Sequence, residues 1–139
     1  MKTFDRKLIE KLRLTGLRPT RQRLALAEIL FNGEDRHVSA EALHQEAVAA
    51  KIPVSMATVY NTLNQFTDAG LLREVAIEGD RTFFDTNTSN HFHYYLGDNG
   101  GLIDIEGPGV SVTGLPALPP GTEIDRVDVI VRLKKSAAL

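Results

Sequence analysis

The sequence predicts an α+β chain in two parts: a helical N-terminal domain closed by a β-hairpin, then a small β-rich domain. Three observations predict it. Apolar residues recur at helical spacing to about residue 70 and then change to alternation. A run of small polar residues, Thr-Asn-Thr-Ser-Asn at 86–90, separates two differently patterned halves. Residues 107–121 hold four prolines and four glycines, which argues against a long helix in the second half.

Taken in order, Leu8, Ile9, Leu12 and Leu14 form a short amphipathic segment that ends at Gly16. Pro19 and Thr20 open a second helix, with Leu24, Ala27, Leu30 and Phe31 on one stripe and Asn32-Gly33 as its stop. Ser39 is a good N-cap, with Glu41 in the first turn, for a third helix to about Ala50. Pro53 and Ser55 reset the chain for a fourth helix, whose Met56, Val59, Leu63 and Phe66 are expected inside and whose end is Gly70. Residues 71–77 and 81–85 predict two strands around the turn Glu78-Gly79-Asp80. Short helices followed by a hairpin are the pattern of a winged helix-turn-helix, here residues 1–85, with 86–90 as a hinge.

In residues 91–139, strands are expected at 91–96 and 102–106, joined across Gly97-Asp98-Asn99-Gly100. The last segment alternates Val127, Val129, Val131 and Leu133 with Arg126, Asp128 and Arg132. So small a β-rich unit buries little surface alone, and pairing with a second copy is the simplest remedy. A homodimerisation and sensing domain is therefore expected.

Composition narrows the function. A chain of 139 residues, 42% hydrophobic and 24% charged, has a globular profile. The absence of cysteine excludes disulfides, iron–sulfur clusters and thiolate zinc sites. The first twelve residues mix charge with apolar groups, unlike a signal peptide, and no stretch has the length of a membrane span. A cytoplasmic protein with no membrane partner is expected. Net charge is −2, but residues 1–24 set eight basic side chains against Asp5 and Glu10, so this end carries +6 and the rest −8. Such asymmetry favours a polyanion as partner for that end.

The fourth helix offers that partner a reading surface. Ser55, Thr58, Asn61, Thr62 and Gln65 lie off its apolar stripe with Tyr60 at the flank. Hydroxyls and amides can donate to and accept from base edges in the major groove, and a tyrosine face suits a thymine methyl. Arg73 and Arg81 on the hairpin would clamp phosphates.

The second half holds a candidate metal cluster. His91 and His93 stand two apart on a predicted strand and so face one way, with Tyr95 continuing that face and Phe92 and Tyr94 opposite, toward a core. Asp85 precedes the hinge and Asp104 lies on the neighbouring strand. Two imidazoles with one or two carboxylates suit Fe(II), Mn(II) or Zn(II), and the same pair could ligate haem iron. No Ser-His-Asp order, glycine-rich phosphate loop or close carboxylate pair supports an enzyme.

The runs GLRPTRQRLALAEIL, HVSAEALHQEA and ATVYNTLNQFTDAGLL closely resemble the ferric uptake regulator family. Within it, FFDTNTSNH and PPGTEIDRVDVIVRLKK are similar to the iron response regulators (Irr) of rhizobia and related α-proteobacteria. The resemblance implies a winged helix, a hinge and an α/β dimerisation domain, in a homodimer on double-stranded operators of iron and haem genes. It gives Arg18 a minor-groove role and Tyr60 a thymine contact. Asn61 stands where typical members have Arg, so the preferred base should move from guanine toward adenine. It adds His37 to the metal set, giving one hinge site of His37, Asp85, His91, His93 and Asp104. Where typical members have C-x-x-C, this chain has Gly97-Asp98-Asn99-Gly100, so the family's structural zinc site is absent. The resemblance also implies haem sensing, resting on His91 and His93, with a haem-delivering enzyme as a further partner. The competing expectations are a regulator of the same fold that senses Mn(II), another divalent metal or a small molecule without haem, and a winged-helix scaffold that binds protein.

Overall fold

A computed structural model describes residues 3–77, 81–97, 101–106 and 109–137. They divide into two compact units, Met1–Thr88 and Ser89–Leu139. Among the described residues, no helix is long and apolar enough to cross a membrane.

The first unit contains helices α1 (Arg6–Leu14), α2 (Arg21–Phe31), α3 (Ala40–Ala49) and α4 (Met56–Asp68), and strands β1 (His37–Val38), β2 (Arg73–Ala76) and β3 (Thr82–Asp85). Each helix begins where a short polar side chain accepts a hydrogen bond from the first turn. Asp5 caps Lys7 N, Thr20 caps Arg23 N, Ser39 caps Ala42 N, and Ser55 caps Thr58 N. Gly16 and Gly70, at φ +81° and +82°, take the left-handed turns that follow α1 and α4. Leu12, Leu26, Leu30, Leu43, Val59, Leu63 and Phe66 interlock between the helices, and Phe84 of the sheet closes the cluster. Replacing Ser39 with Ala, which removes the buried cap of α3, is expected to cost about 1 kcal/mol. Thermal denaturation should show this as a midpoint roughly 4–8 °C lower.

Several local expectations need correction. Leu14 is 83% exposed, because α1 turns only Leu12 fully inward. Met56 lies half-buried at the edge, and Thr62, expected on the polar face of α4, is buried at its centre. The strand β1 was not legible in the sequence. It adds to the hairpin, so the sheet order is β1-β3-β2 with both pairings antiparallel. The turn expected at Glu78-Gly79-Asp80 lies outside the described residues.

The second unit contains β4 (Phe92–Leu96), β5 (Gly101–Ile105) and β6 (Ile130–Leu133) in the order β5-β4-β6. β4 and β5 are antiparallel and β6 runs parallel to β4. The buried face of β4 is the one bearing His93 and Tyr95, whereas Phe92 and Tyr94 are half-buried. The predicted core face was thus the wrong one: the imidazole row is the inner row. The alternating C-terminal segment is regular only from Ile130, although His93 N still donates to Val129 O at 3.3 Å. Residues 109–119 form neither helix nor strand. The segments 98–100 and 107–108, which include most of the predicted β-turn, lie outside the described residues.

Candidate metal centre and nucleic-acid interface

The surface around α4 is set by its packing. With Val59, Thr62, Leu63 and Phe66 turned inward, Tyr60, Asn61 and Gln65 are left facing outward. Asn61 and Gln65 stand one turn apart. Gln65 Oε1 accepts from Arg23 Nε and Nη2 at 3.3 and 3.1 Å, while Arg23 Nη1 donates to Arg18 O at 2.9 Å. One guanidinium therefore fastens α2, α4 and the segment bearing Arg18. These residues, with Thr58 and Asn61, line an open polar groove of about 360 Å³. In the sequence Arg23 stands out only as one charge of a basic N-terminal segment. Its bridging role depends on contacts 42 residues apart, which no local pattern announces.

Ser55 and Thr58 are occupied locally: Ser55 Oγ accepts from Thr58 N and donates to Thr58 Oγ1, both at 3.0 Å. Tyr60 donates its hydroxyl to Glu41 Oε1 at 2.8 Å. That bond raises the Tyr60 pKa and lowers that of Glu41, so the pair is held as phenol and carboxylate. Arg18 and Arg81 are exposed, as a phosphate contact requires. Arg73 is not: it is buried on β2 and cannot clamp a phosphate. The alternation that sends Glu74 outward sends Arg73 in, where its cross-strand partner is Asp85.

Asp85 is the centre of a row across the first sheet, with His37 opposite it on β1 and Arg73 opposite it on β2. Its Oδ2 lies 3.2 Å from His37 Nε2, and its Oδ1 accepts from Asn87 N at 2.9 Å. The strand carrying His37 is tied down on both sides. Arg36 pairs with Glu46 through two hydrogen bonds of 2.8 and 2.6 Å, which raise its pKa, and Thr86 exchanges hydrogen bonds with the Arg36 backbone.

In the second unit, register places His93 directly opposite Asp104. Asp104 Oδ1 lies 3.4 Å from His93 Nε2 and 3.3 Å from His91 Nε2, with the two rings 4.5 Å apart. His91 Nδ1 is 2.7 Å from Ser89 O. A carbonyl only accepts, so Nδ1 carries the hydrogen, and Nε2 faces the carboxylate with either a second proton or a lone pair open to a cation. Ligand atoms about 2.1 Å from one ion stand about 3.0–3.4 Å apart. Each imidazole meets that spacing with Asp104, as does His37 with Asp85 in the first unit. Two imidazoles and a carboxylate are a donor set for Fe(II), Mn(II) or Zn(II).

A model of the ferric uptake regulator family matches residues 14–115. The ferric uptake regulation protein of Vibrio cholerae is 35% identical over 97 residues, covering 69% of this chain. The chain spans 65% of the length of that relative. The peroxide operon regulator of Bacillus subtilis is 37% identical over 103 residues, 73% of this chain and 70% of that protein. Among solved structures, the Vibrio cholerae ferric uptake regulator superposes with a TM-score of 0.71 at 26% identity, covering 91% of this chain and 98% of the other. The Pseudomonas aeruginosa ferric uptake regulator, solved with manganese, superposes at 0.67 with 25% identity, over 91% of this chain and 96% of that one.

Proposed function

Because the chain belongs to the ferric uptake regulator family, we propose that it is a metal-responsive transcriptional regulator of iron genes. It would bind duplex operators as a homodimer in the cytoplasm and catalyse no reaction. The observation that carries this reading is the convergence of His91 and His93 on Asp104 Oδ1, a donor group with metal-ligand spacing. His91, His93 and Asp104 would hold the ion, with His37 and Asp85 contributing to the same centre. A divalent ion would supply the positive charge that lets these carboxylates and imidazoles share one site. Fe(II) is the favoured ion and Mn(II) the alternative, in keeping with a relative named for ferric uptake and another solved with manganese.

On the DNA side, Arg18, Tyr60, Asn61 and Arg81 make the contacts, and Ser55 and Thr58 form the start of the reading helix that meets the backbone. Dimer formation is supported by what the second unit exposes: Ile103, Val112, Leu115, Leu118, Ile124 and Leu133 are all over 40% exposed. Joining the two reading heads at a spacing of about one helical turn of DNA is the step that hinge geometry controls. Titrating metal-free protein with Mn(II), followed by electron paramagnetic resonance, should show a single ion per chain bound in the micromolar range. Absence of Mn(II) binding, with Fe(II) and Zn(II) likewise unbound in equilibrium dialysis, overturns the metal reading.

We further propose an Irr-type response, in which haem ends DNA binding and a haem-delivering enzyme is a partner. Its support is the resemblance of FFDTNTSNH and PPGTEIDRVDVIVRLKK, together with the paired imidazoles. His91 is the more accessible axial ligand, since His93 is buried. Haem should then shift its visible absorbance and release operator from the unsubstituted chain, and the H91A/H93A double variant should show no such shift in absorbance. An unchanged spectrum and affinity leave the metal response without haem.

A further inference from the structure

Glu41 is out of place on a surface built to meet a polyanion. It lies exposed in the first turn of α3, next to the reading helix, where a carboxylate repels phosphates. Its place in the first turn of α3 suits the helix dipole, but that needs only a carboxylate there and not a contact with α4. Its partner is specific: Tyr60 Oη donates to Oε1 at 2.8 Å. The charge of Arg81, at the wing, also acts on this carboxylate. α3 and α4 are locked together beneath the pair by Leu43, Val59 and Leu63, so a bond between them has a rigid base.

We propose that Glu41 is a positioning residue for operator recognition: by holding the Tyr60 hydroxyl, it fixes the ring that reads the operator and sets preference for operator over unrelated DNA. The assignment rests on the DNA-binding reading above. A tyrosine ring turns about two side-chain torsions, and only one orientation presents a given face to a thymine methyl. Tethering the hydroxyl settles that orientation before DNA arrives, so less freedom is lost on binding. The carboxylate acts in a second way. Where Tyr60 and Arg81 engage it, its charge is matched; where a misplaced phosphate approaches instead, it repels. Discrimination thus has an attractive and a repulsive part on one side chain.

The test measures operator and scrambled-duplex affinities by anisotropy for the full chain, E41A, E41Q, Y60F and E41A/Y60F. E41A should lower the ratio of operator to scrambled affinity by about five- to tenfold, with scrambled binding tightened by the lost charge. E41Q, whose amide oxygen still accepts from Tyr60, should recover part of the ratio. Y60F should lower the ratio alone, and in its background E41A should add only the charge-driven tightening of scrambled binding, with no further loss of operator affinity, since both substitutions sever the same bond. Full additivity of E41A and Y60F, or an E41A ratio equal to that of the unsubstituted chain, overturns the assignment while operator preference stands. Should the unsubstituted chain show no operator preference, the DNA-binding reading itself fails, and this assignment with it.

Discussion

Replacing Asp104 with Ala is expected to lower divalent-metal affinity by at least about a hundredfold, or about 2.7 kcal/mol, without unfolding the protein. Altering groups that merely support a metal ligand costs about 10–100-fold, so removing a charged ligand should reach the top of that range or exceed it. Asp104 is the right position for the test because both imidazoles converge on it, His93 from β4 and His91 from just before that strand, yet its side chain remains 36% exposed. Shortening it leaves no sealed cavity. His93 is the poorer choice: it is 2% exposed, and H93A would mix ligand loss with a packing defect of the second unit. Equilibrium dialysis with Mn(II), alongside the thermal midpoint of the metal-free variant, separates the two effects. An affinity within threefold of the unsubstituted chain would remove Asp104 from the centre.

Asn61→Arg should move the preferred base at one operator position from adenine to guanine. Asn pairs with adenine N6 and N7, whereas Arg reaches guanine O6 and N7, and such bidentate contacts discriminate by about 1–3 kcal/mol, roughly 5–150-fold. Asn61 is exposed and outside the buried stripe of α4, so the helix should hold its place. Selection from a randomised duplex library, run in parallel on both proteins, reads the change directly. Identical selected sequences would mean that Asn61 does not touch a base edge.

The helices were legible because their signals are local. Ser39, Ser55 and Thr20 cap helices from positions adjacent to them, and the stripe of Val59, Leu63 and Phe66 repeats within one element. The change to alternation after Gly70 gave the hairpin for the same reason. The missing strand, β1, is two residues long and exists only because β3 lies beside it. Periodicity cannot detect two residues.

Reading outward from sequence failed where burial depends on a distant neighbour. Arg73 and Thr62 are polar and were placed outside, yet register sets Arg73 opposite Asp85 and helix packing turns Thr62 inward. The face of β4 was misjudged because apolar character favoured Phe92 and Tyr94, while the sheet buries His93 and Tyr95. Of the candidate metal ligands, His91, His93, Asp85 and Asp104 stood out by residue type and spacing. His37 came only through family resemblance, since 48 positions of chain separate it from Asp85. The tie between Glu41 and Tyr60 had no sequence signal at all, because it joins two helices through side chains 19 residues apart.

The most direct test of the central claim is operator affinity with and without metal. Fluorescence anisotropy with duplex from an iron-gene promoter should show weak binding by metal-free protein and binding about 5–150-fold tighter once Mn(II) or Fe(II) is added, the range of ordinary site-to-site coupling. The D104A variant should stay at the weak level in both conditions. Operator binding that is equally tight with and without metal would contradict a metal-controlled regulator.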